Sequence, residues 1–130
     1  MEKPALVKFY EQYINCLNIR NWDDLHLFVH GRLLYNKQPI QLSDYRAMLE
    51  QNYRDIPDLR FQIALLTTGD NLIGCRLDFD CTPVGKFLGI AVNGKPVVFS
   101  EHVFYQLQEG KIAEVWSLID KDAIRDQINS

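Results

Sequence analysis

The sequence predicts an α+β fold in which helices cover one face of a curved antiparallel sheet. In the first part of the chain, apolar residues recur at intervals of three and four, which is typical of amphipathic helices. From residue 59 onward the period becomes two, and Gly-containing turns separate the alternating segments. We therefore expect three N-terminal helices, then antiparallel strands, and a short C-terminal helix.

The helices are predicted from apolar spacing and from residues that favour helix ends. The first runs for about 15 residues and has Pro4 in its first turn. It buries an apolar face, which comprises Leu6, Phe9, Tyr10, Tyr13, Ile14 and Leu17. A second, short helix begins after Asn21 as N-cap. A short strand over 32–36 then leads to a third helix, which Ser43 caps and Pro57 ends.

The strands are predicted from strict alternation. Over 59–67 the odd positions, including Leu65, form the core face, and over 73–81 the odd positions again carry the apolar side chains. A strand over 97–107, a tight turn at Glu109-Gly110 and a strand over 111–120 form the last hairpin.

The pairing within this hairpin decides which side chains meet. If 108–111 is the turn, Leu107 lies opposite Ile112 and Val103 opposite Trp116. One face then carries an apolar wall with carboxylates at one end, as in small-molecule pockets; its residues include Phe99, Glu101, Tyr105, Trp116 and Asp120. A partly solvated sheet face is the alternative, and a single β-bulge would invert part of the pattern.

Size and composition narrow the function classes. The 130 residues can bury one core, so residues 1–130 are predicted to form a single domain. The formal net charge is −3 with no cluster of Lys and Arg, which argues against nucleic-acid and membrane-surface partners. No apolar segment resembles a signal peptide or a membrane span.

The three cysteines point to a reducing environment. Cys16, Cys75 and Cys81 form no C-x-x-C pair and none lies beside a histidine at metal-ligand spacing. We therefore predict a reduced, cytoplasmic protein without a metal site. Phosphate-binding, dinucleotide-binding and serine-hydrolase motifs are also missing from the sequence, which leaves cofactor-free chemistry or simple binding.

Asp120 is the polar residue that the pattern singles out for chemistry. A carboxylate held against aromatic and aliphatic groups gains proton affinity, which suits it to general acid/base catalysis. The alternative is that Asp120 ends its strand and caps the helix over 121–128.

Other polar residues are weaker candidates for a site. His30 and His102 could shuttle protons, although a lone histidine is usually structural. Glu101 reaches the Asp120 end of the hairpin, Asn36 could orient a substrate oxygen or serve only as a turn residue, and Trp116 could be a pocket wall or a core residue.

An ordered series of motifs resembles the SnoaL-like polyketide cyclase family, also called ester cyclases. The motifs are IPDLRF (56–61), GD (69–70), FLGI (87–90), NGK (93–95), FSEHVFY (99–105) and GKIAEVWSLID (110–120), followed by Gln127. The resemblance spans nearly the whole chain and implies a cone-shaped α+β barrel of the nuclear transport factor two and ketosteroid isomerase superfamily, commonly dimeric through the convex sheet face.

The resemblance also implies site residues. In this family an aspartate at the position matched by Asp120 serves as acid/base in an aldol ring closure without metal or cofactor, and an asparagine and a histidine hold the enolate. Asn36 and His102 are the nearest matches here, although the pairing above puts His102 on the opposite face. Many members carry Thr-His before the loop, where this chain has Cys81-Thr82.

Together these features predict a cofactor-free cyclase, isomerase or lyase acting on a small apolar carbonyl compound, with Asp120 as the base. The alternative is a binding or stress-associated module of the same fold without chemistry. Under either interpretation we expect a homodimer, because an apolar convex face is predicted; its residues are Val98, Phe104, Val115 and Ile119.

Overall fold

The computed structural model describes residues 1–129 and confirms the α+β class. The helical elements are α1 (Lys3–Asn18), a 3₁₀ helix (Trp22–Leu27), α2 (Leu42–Asp55) and α3 (Lys121–Ile128). The strands are β1 (Val29–Tyr35), β2 (Gln38–Gln41), β3 (Gln62–Gly69), β4 (Leu72–Cys81), β5 (Lys86–Phe87), β6 (Ile90–Ala91), β7 (Val97–Gln108) and β8 (Lys111–Ile119).

Six strands form one curved sheet in the order β2-β1-β8-β7-β4-β3, and β5 pairs with β6 in a separate small hairpin. The sheet is mixed, because β1 runs parallel to β8 while the other neighbours are antiparallel. The prediction of a wholly antiparallel sheet is therefore wrong at this one junction. No short hairpin links β1 to β8, so sequence proximity does not fix their relative direction. The sheet does not close into the barrel that the family resemblance implies, because the edge strands β2 and β3 do not pair.

The N-terminal helices form close to where the sequence predicts them. Pro4 lies in the first turn of α1, where its missing N–H is not needed. The predicted cap of α2 is wrong by two positions: Gln41 is the N-cap, and its backbone N–H donates to the Asp44 carboxylate at 2.9 Å. Ser43 instead lies inside the first turn.

Two β-bulges change which side chains face the helices. In β3 the register shifts between Ile63 and Leu65, so Leu65 points outward with 67% of its surface exposed, against the prediction. In the last hairpin the register shifts next to Leu107, which still lies opposite Ile112. Beyond that bulge the predicted pairing is wrong by one residue, because Val103 lies opposite Ser117.

The second bulge also reassigns the two faces of β8. Val115 and Ile119, predicted on the convex face, point toward the helices, and Val115 is buried. Trp116 and Leu118 lie on the convex face instead, opposite Phe104 and His102 of β7. The core consequently occupies the space between the concave side of the sheet and the helices α1 and α2.

No helix within residues 1–129 is both long and apolar enough to cross a membrane.

Candidate functional site

A cavity of about 170 Å³ lies between the concave side of the sheet, α1, α2 and the β5–β6 hairpin. Most of its wall is apolar, and aromatic rings dominate it. The aromatic lining residues are Tyr13, Tyr35, Tyr45, Phe61, Phe79, Phe87, Phe99 and Tyr105. Phe99 and Tyr105 were predicted to face a pocket, and they line this cavity.

The tyrosine hydroxyls pair with one another across elements. The hydroxyls of Tyr13 in α1 and Tyr45 in α2 lie 2.6 Å apart, and those of Tyr10 and Tyr105 lie 3.1 Å apart. Burial raises the pKa of all four phenols well above the ordinary value of a tyrosine. These tyrosines therefore stay protonated, and each pair has one O–H that its partner does not use.

Glu101 is the carboxyl group of this cavity. It lies on β7 between Phe99 and Val103, all three pointing toward the helices. The hydroxyl of Ser117 on the neighbouring strand β8 donates a short hydrogen bond to the Glu101 carboxylate. Burial raises the pKa of Glu101 above its ordinary value, and the bond from Ser117 only partly opposes this effect.

The described residues that line the cavity include a carboxyl group but no cationic side chain. Among the described residues 1–129, the cavity wall includes no Lys, Arg or His, and Glu101 is its only ionisable carboxyl. The negative charge of Glu101 contributes to the raised pKa values of Tyr13, Tyr35 and Tyr105. One carboxyl with a raised pKa beside neutral phenols can accept a proton from a bound compound and return it at another atom.

Ionisation of Glu101 should make the folded state less stable as the pH rises. Because its pKa is raised in the folded protein, stability is fully present below the ordinary value of 4.5 and is lost as the pH rises through the raised value. The free energy of unfolding of the wild type, relative to that of Glu101→Gln, should therefore fall between acidic and neutral pH. Urea unfolding of both proteins between acidic and neutral pH measures the difference between their free energies of unfolding. If the wild type gained stability relative to Glu101→Gln as the pH rises, this result would contradict the raised pKa.

Asp120 occupies the helix-capping position that the sequence offered as the alternative to a catalytic role. It is the N-cap of α3, and its carboxylate accepts a hydrogen bond from the Ala123 backbone N–H at 3.1 Å. Asp120 is exposed and lies beside Arg76, His102 and Leu118 on the convex side of the sheet. The predicted pairing that put Asp120 on the pocket face is wrong, because the bulge after Leu107 shifts β8 by one residue.

The cap predicts how substitutions of Asp120 affect stability. Asp120→Ala should lower the free energy of unfolding by about 0.5–2 kcal/mol, since the Ala123 N–H loses its acceptor. Asp120→Asn should change it much less, because asparagine caps helices about as well as aspartate. Urea unfolding measures both, and equal losses for Ala and Asn would argue against a capping role.

Apart from Glu101, the other predicted polar residues also lie outside the cavity. His102 is on the convex face opposite Arg76 of β4 and Leu118 of β8. His30 on β1 places Nε2 2.6 Å from the carbonyl oxygen of Gln108. Neither histidine is among the residues that line the cavity.

Asn36 and Trp116 are also not among the residues that line the cavity. Asn36 occupies the left-handed turn after β1, with φ of 47°. Its side-chain amide donates to the Ser117 carbonyl at 3.2 Å and accepts from the Ser117 N–H at 2.8 Å. Asn36 thus extends the pairing of β1 with β8, while Trp116 packs on the convex face opposite Phe104.

Sequence reasoning missed Ser117 and the polar function of the tyrosines. Tyr13 was counted only as an apolar residue of the first helix, and Tyr35 and Tyr45 were not singled out as site residues. The available signal was the choice of tyrosine over leucine or phenylalanine on two core-facing helix surfaces, because a buried hydroxyl needs a partner. Ser117 carried no signal, since only the shifted register brings it next to Glu101.

No cluster of three or more His, Cys, Asp and Glu side chains suited to a metal ion occurs within residues 1–129.

Comparison with known proteins gives one consistent family. The sequence profile of the SnoaL-like polyketide cyclases matches residues 7–128. A SnoaL-like polyketide cyclase from Agrobacterium tumefaciens strain C58, whose crystal structure is known, is 42% identical in sequence to this chain. It superposes with a TM-score of 0.93 over 98% of this chain and 99% of that one.

More distant structures share the fold. TsrD from Streptomyces laurentii is 17% identical, with a TM-score of 0.87 over 98% of this chain and 97% of its own. IdmH from Streptomyces antibioticus is 13% identical, with a TM-score of 0.83 over 99% of this chain and 100% of its own. No curated protein sequence matches this chain.

Proposed function

Because the chain belongs to the SnoaL-like polyketide cyclase family, we propose that it is a cofactor-independent acid/base enzyme acting on a small apolar carbonyl compound inside the cavity. The carboxyl of Glu101 abstracts a proton from the carbon next to the carbonyl group. The carbonyl oxygen becomes an enolate oxygen. Either the enolate carbon then bonds to a second carbonyl carbon, whose oxygen takes the proton from Glu101 and becomes a hydroxyl, or the proton returns to a carbon of the enolate system and gives an isomer. Neither route changes the overall oxidation level, so no redox cofactor is required.

The position of Glu101 is the observation on which this proposal rests. Its carboxyl faces an apolar and aromatic cavity, and burial raises its pKa above the ordinary value, which makes the carboxylate a stronger base. Ser117 holds the carboxyl by a hydrogen bond, which fixes its direction. Asp120, the match that the family resemblance implies, caps α3 on the other side of the sheet, so we assign the acid/base function to Glu101.

The Tyr13–Tyr45 pair supplies hydrogen-bond donors for the enolate. Both residues line the cavity, and their hydroxyls are 2.6 Å apart. One O–H bonds the other oxygen, which leaves one proton to point at a ligand oxygen. Donors aimed at the atom where negative charge develops stabilise that charge more than they stabilise the neutral ketone.

Exchange of the acidic C–H protons of acetophenone in D₂O, followed by NMR, tests the proposal. Wild-type protein should accelerate the exchange above the buffer rate, and Glu101→Gln should not. If acetophenone binds in the cavity and its protons exchange only at the buffer rate, the alternative function, a binding module without chemistry, is favoured.

We also propose that two copies associate through the convex sheet face. Exposed apolar side chains cluster there, where Phe104 is 49% exposed, Leu118 74% and Leu65 67%. The Phe104 ring covers Gly74 of β4, whose missing side chain leaves room for it. In the cross-strand row that holds Leu65 and Leu118, Arg76 and His102 lie between them, so the proposed interface combines apolar and polar side chains. Apolar side chains exposed together on one face often mark an interface.

Phe104→Asp should convert the dimer into a monomer, because it places a charge beside Trp116 in the proposed interface. Sedimentation velocity at micromolar concentration measures the change. Ile19→Asp is the matched control, since Ile19 is 61% exposed at the end of α1 and away from the sheet, and this variant should stay dimeric. A monomeric wild type would refute the proposed interface.

A further inference from the structure

We propose that the cavity encloses a neutral carbonyl compound built on a single ring, and that it excludes both fused polycyclic compounds and ionised acids. This inference rests on the proposed function, because it names the substrate class of the Glu101 site. It is carried by the size of the cavity, the arrangement of its rings and the charge of its lining.

The volume sets the size of the ligand. The cavity measures about 170 Å³, whereas small-molecule sites commonly measure about 300–1,000 Å³. In another protein an apolar cavity of about 150 Å³ holds one benzene molecule. A single ring with a short carbonyl substituent therefore matches the space, and three or four fused rings exceed it.

Four phenylalanine rings in contact with one another form part of the cavity wall. Phe79 and Phe99 stack with centroids 5.0 Å apart, Phe61 meets Phe79 edge to face, and Phe87 lies 5.8 Å from Phe99. A planar ring fits such a wall by offset stacking or edge contacts. Glu101 follows Phe99 by two residues on the same face of β7, so a ring held here directs its carbonyl substituent toward Glu101.

The charge of the lining excludes acids. No Lys, Arg or His of the described residues lines the cavity, and its one ionisable carboxyl already accepts a hydrogen bond from Ser117. A ligand carboxylate would lose its water without gaining a cation and would also meet the charge of Glu101. A carbonyl oxygen needs only hydrogen-bond donors, which the tyrosine hydroxyls provide.

Four acetyl-substituted aromatic probes separate the effect of ligand size on binding from the effect of ligand charge. Acetophenone and 4-acetylbenzamide are neutral one-ring ketones, 4-acetylbenzoate is the anion of matched size, and 2-acetylanthracene has three fused rings. Calorimetry measures their affinities at pH 7, and NMR shifts of the buried methyl groups of Leu49, Val103 and Val115 show whether a probe occupies the cavity.

We expect acetophenone and 4-acetylbenzamide to bind with shifts at these methyl groups. The 4-acetylbenzoate anion should bind at least 10-fold more weakly than the amide, and 2-acetylanthracene should leave the methyl shifts unchanged. Glu101→Gln should narrow the difference between amide and anion, because it removes the opposing charge, whereas His102→Ala on the convex face should leave it unchanged. Failure of both neutral probes to bind would overturn the inference.

Three other results would also overturn it: occupation of the cavity by 2-acetylanthracene, equal binding of the anion and the amide, or tighter binding of the cation phenyltrimethylammonium than of acetophenone. The test separates this inference from the proposed function. Neutral one-ring probes that bind without proton exchange would support the ligand class and refute the chemistry. Proton exchange on a three-ring ketone held in the cavity would support the proposed chemistry and refute the ligand class.

Discussion

Glu101→Gln should lower the rate of proton exchange on acetophenone by about 10²–10⁴-fold, the usual contribution of a positioned acid/base group. Glutamine has nearly the same shape and can still accept a hydrogen bond from Ser117, but it cannot take up a proton at neutral pH. Binding of the neutral ketone should change little, since the aromatic wall is unaltered. NMR exchange rates at saturating ketone, together with calorimetry, measure the two quantities.

The controls are Asp120 and His102, two of the three residues that the family resemblance implies. Asp120→Asn preserves the cap of α3, and His102→Ala alters the convex face, so both variants should exchange protons at the wild-type rate. Loss of exchange in Asp120→Asn with full activity in Glu101→Gln would refute our assignment and restore the aspartate as the base. Equal losses in all three would indicate a route that depends on overall folding.

The part of the site that was predictable from sequence lies on one uninterrupted strand. Phe99, Glu101 and Tyr105 of β7 point into the cavity as the alternation predicts, because β4 and β7 pair in continuous register from residue 72 to residue 81. Alternation is reliable wherever no extra residue enters a ladder. The helices α1 and α2 were predictable for a similar reason, because each buries a stripe set by its own spacing.

The residues of β8 were placed on the wrong face because of a single bulge. One extra residue between Ile112 and Glu114 turns Trp116 and Leu118 outward and brings Ser117 inward. Nothing in the local sequence marks it, since both faces of β8 carry apolar residues and either register leaves an apolar strand. The contact of Ser117 with Glu101 therefore depends on tertiary packing.

The tyrosine pairs were beyond sequence reasoning for a different reason. Tyr13 and Tyr45 meet only because α1 and α2 dock on the same concave face at one particular spacing. Helix periodicity states which side faces the core, but it does not state which residues of two helices touch. The cavity exists for the same reason, since its volume is what two helices, a curved sheet and the β5–β6 hairpin leave unfilled.

Leu77→Ala should lower the free energy of unfolding by about 2–5 kcal/mol, the usual cost of truncating a buried leucine. Leu77 is 1% exposed on β4 and contributes to the cavity wall. Its loss removes apolar contacts and enlarges a space that is already unfilled, so the neighbours gain little by relaxing. Urea unfolding with an unchanged m-value measures the cost.

Leu65→Ala is the matched control, and it tests the bulge in β3. Simple alternation puts Leu65 on the core face, but the register shift after Ile63 turns it outward, where 67% of its surface is exposed. Its truncation should therefore change the free energy of unfolding by no more than about 0.5 kcal/mol. A loss as large as that of Leu77→Ala would mean that β3 pairs without the bulge and that its outward and inward faces are exchanged.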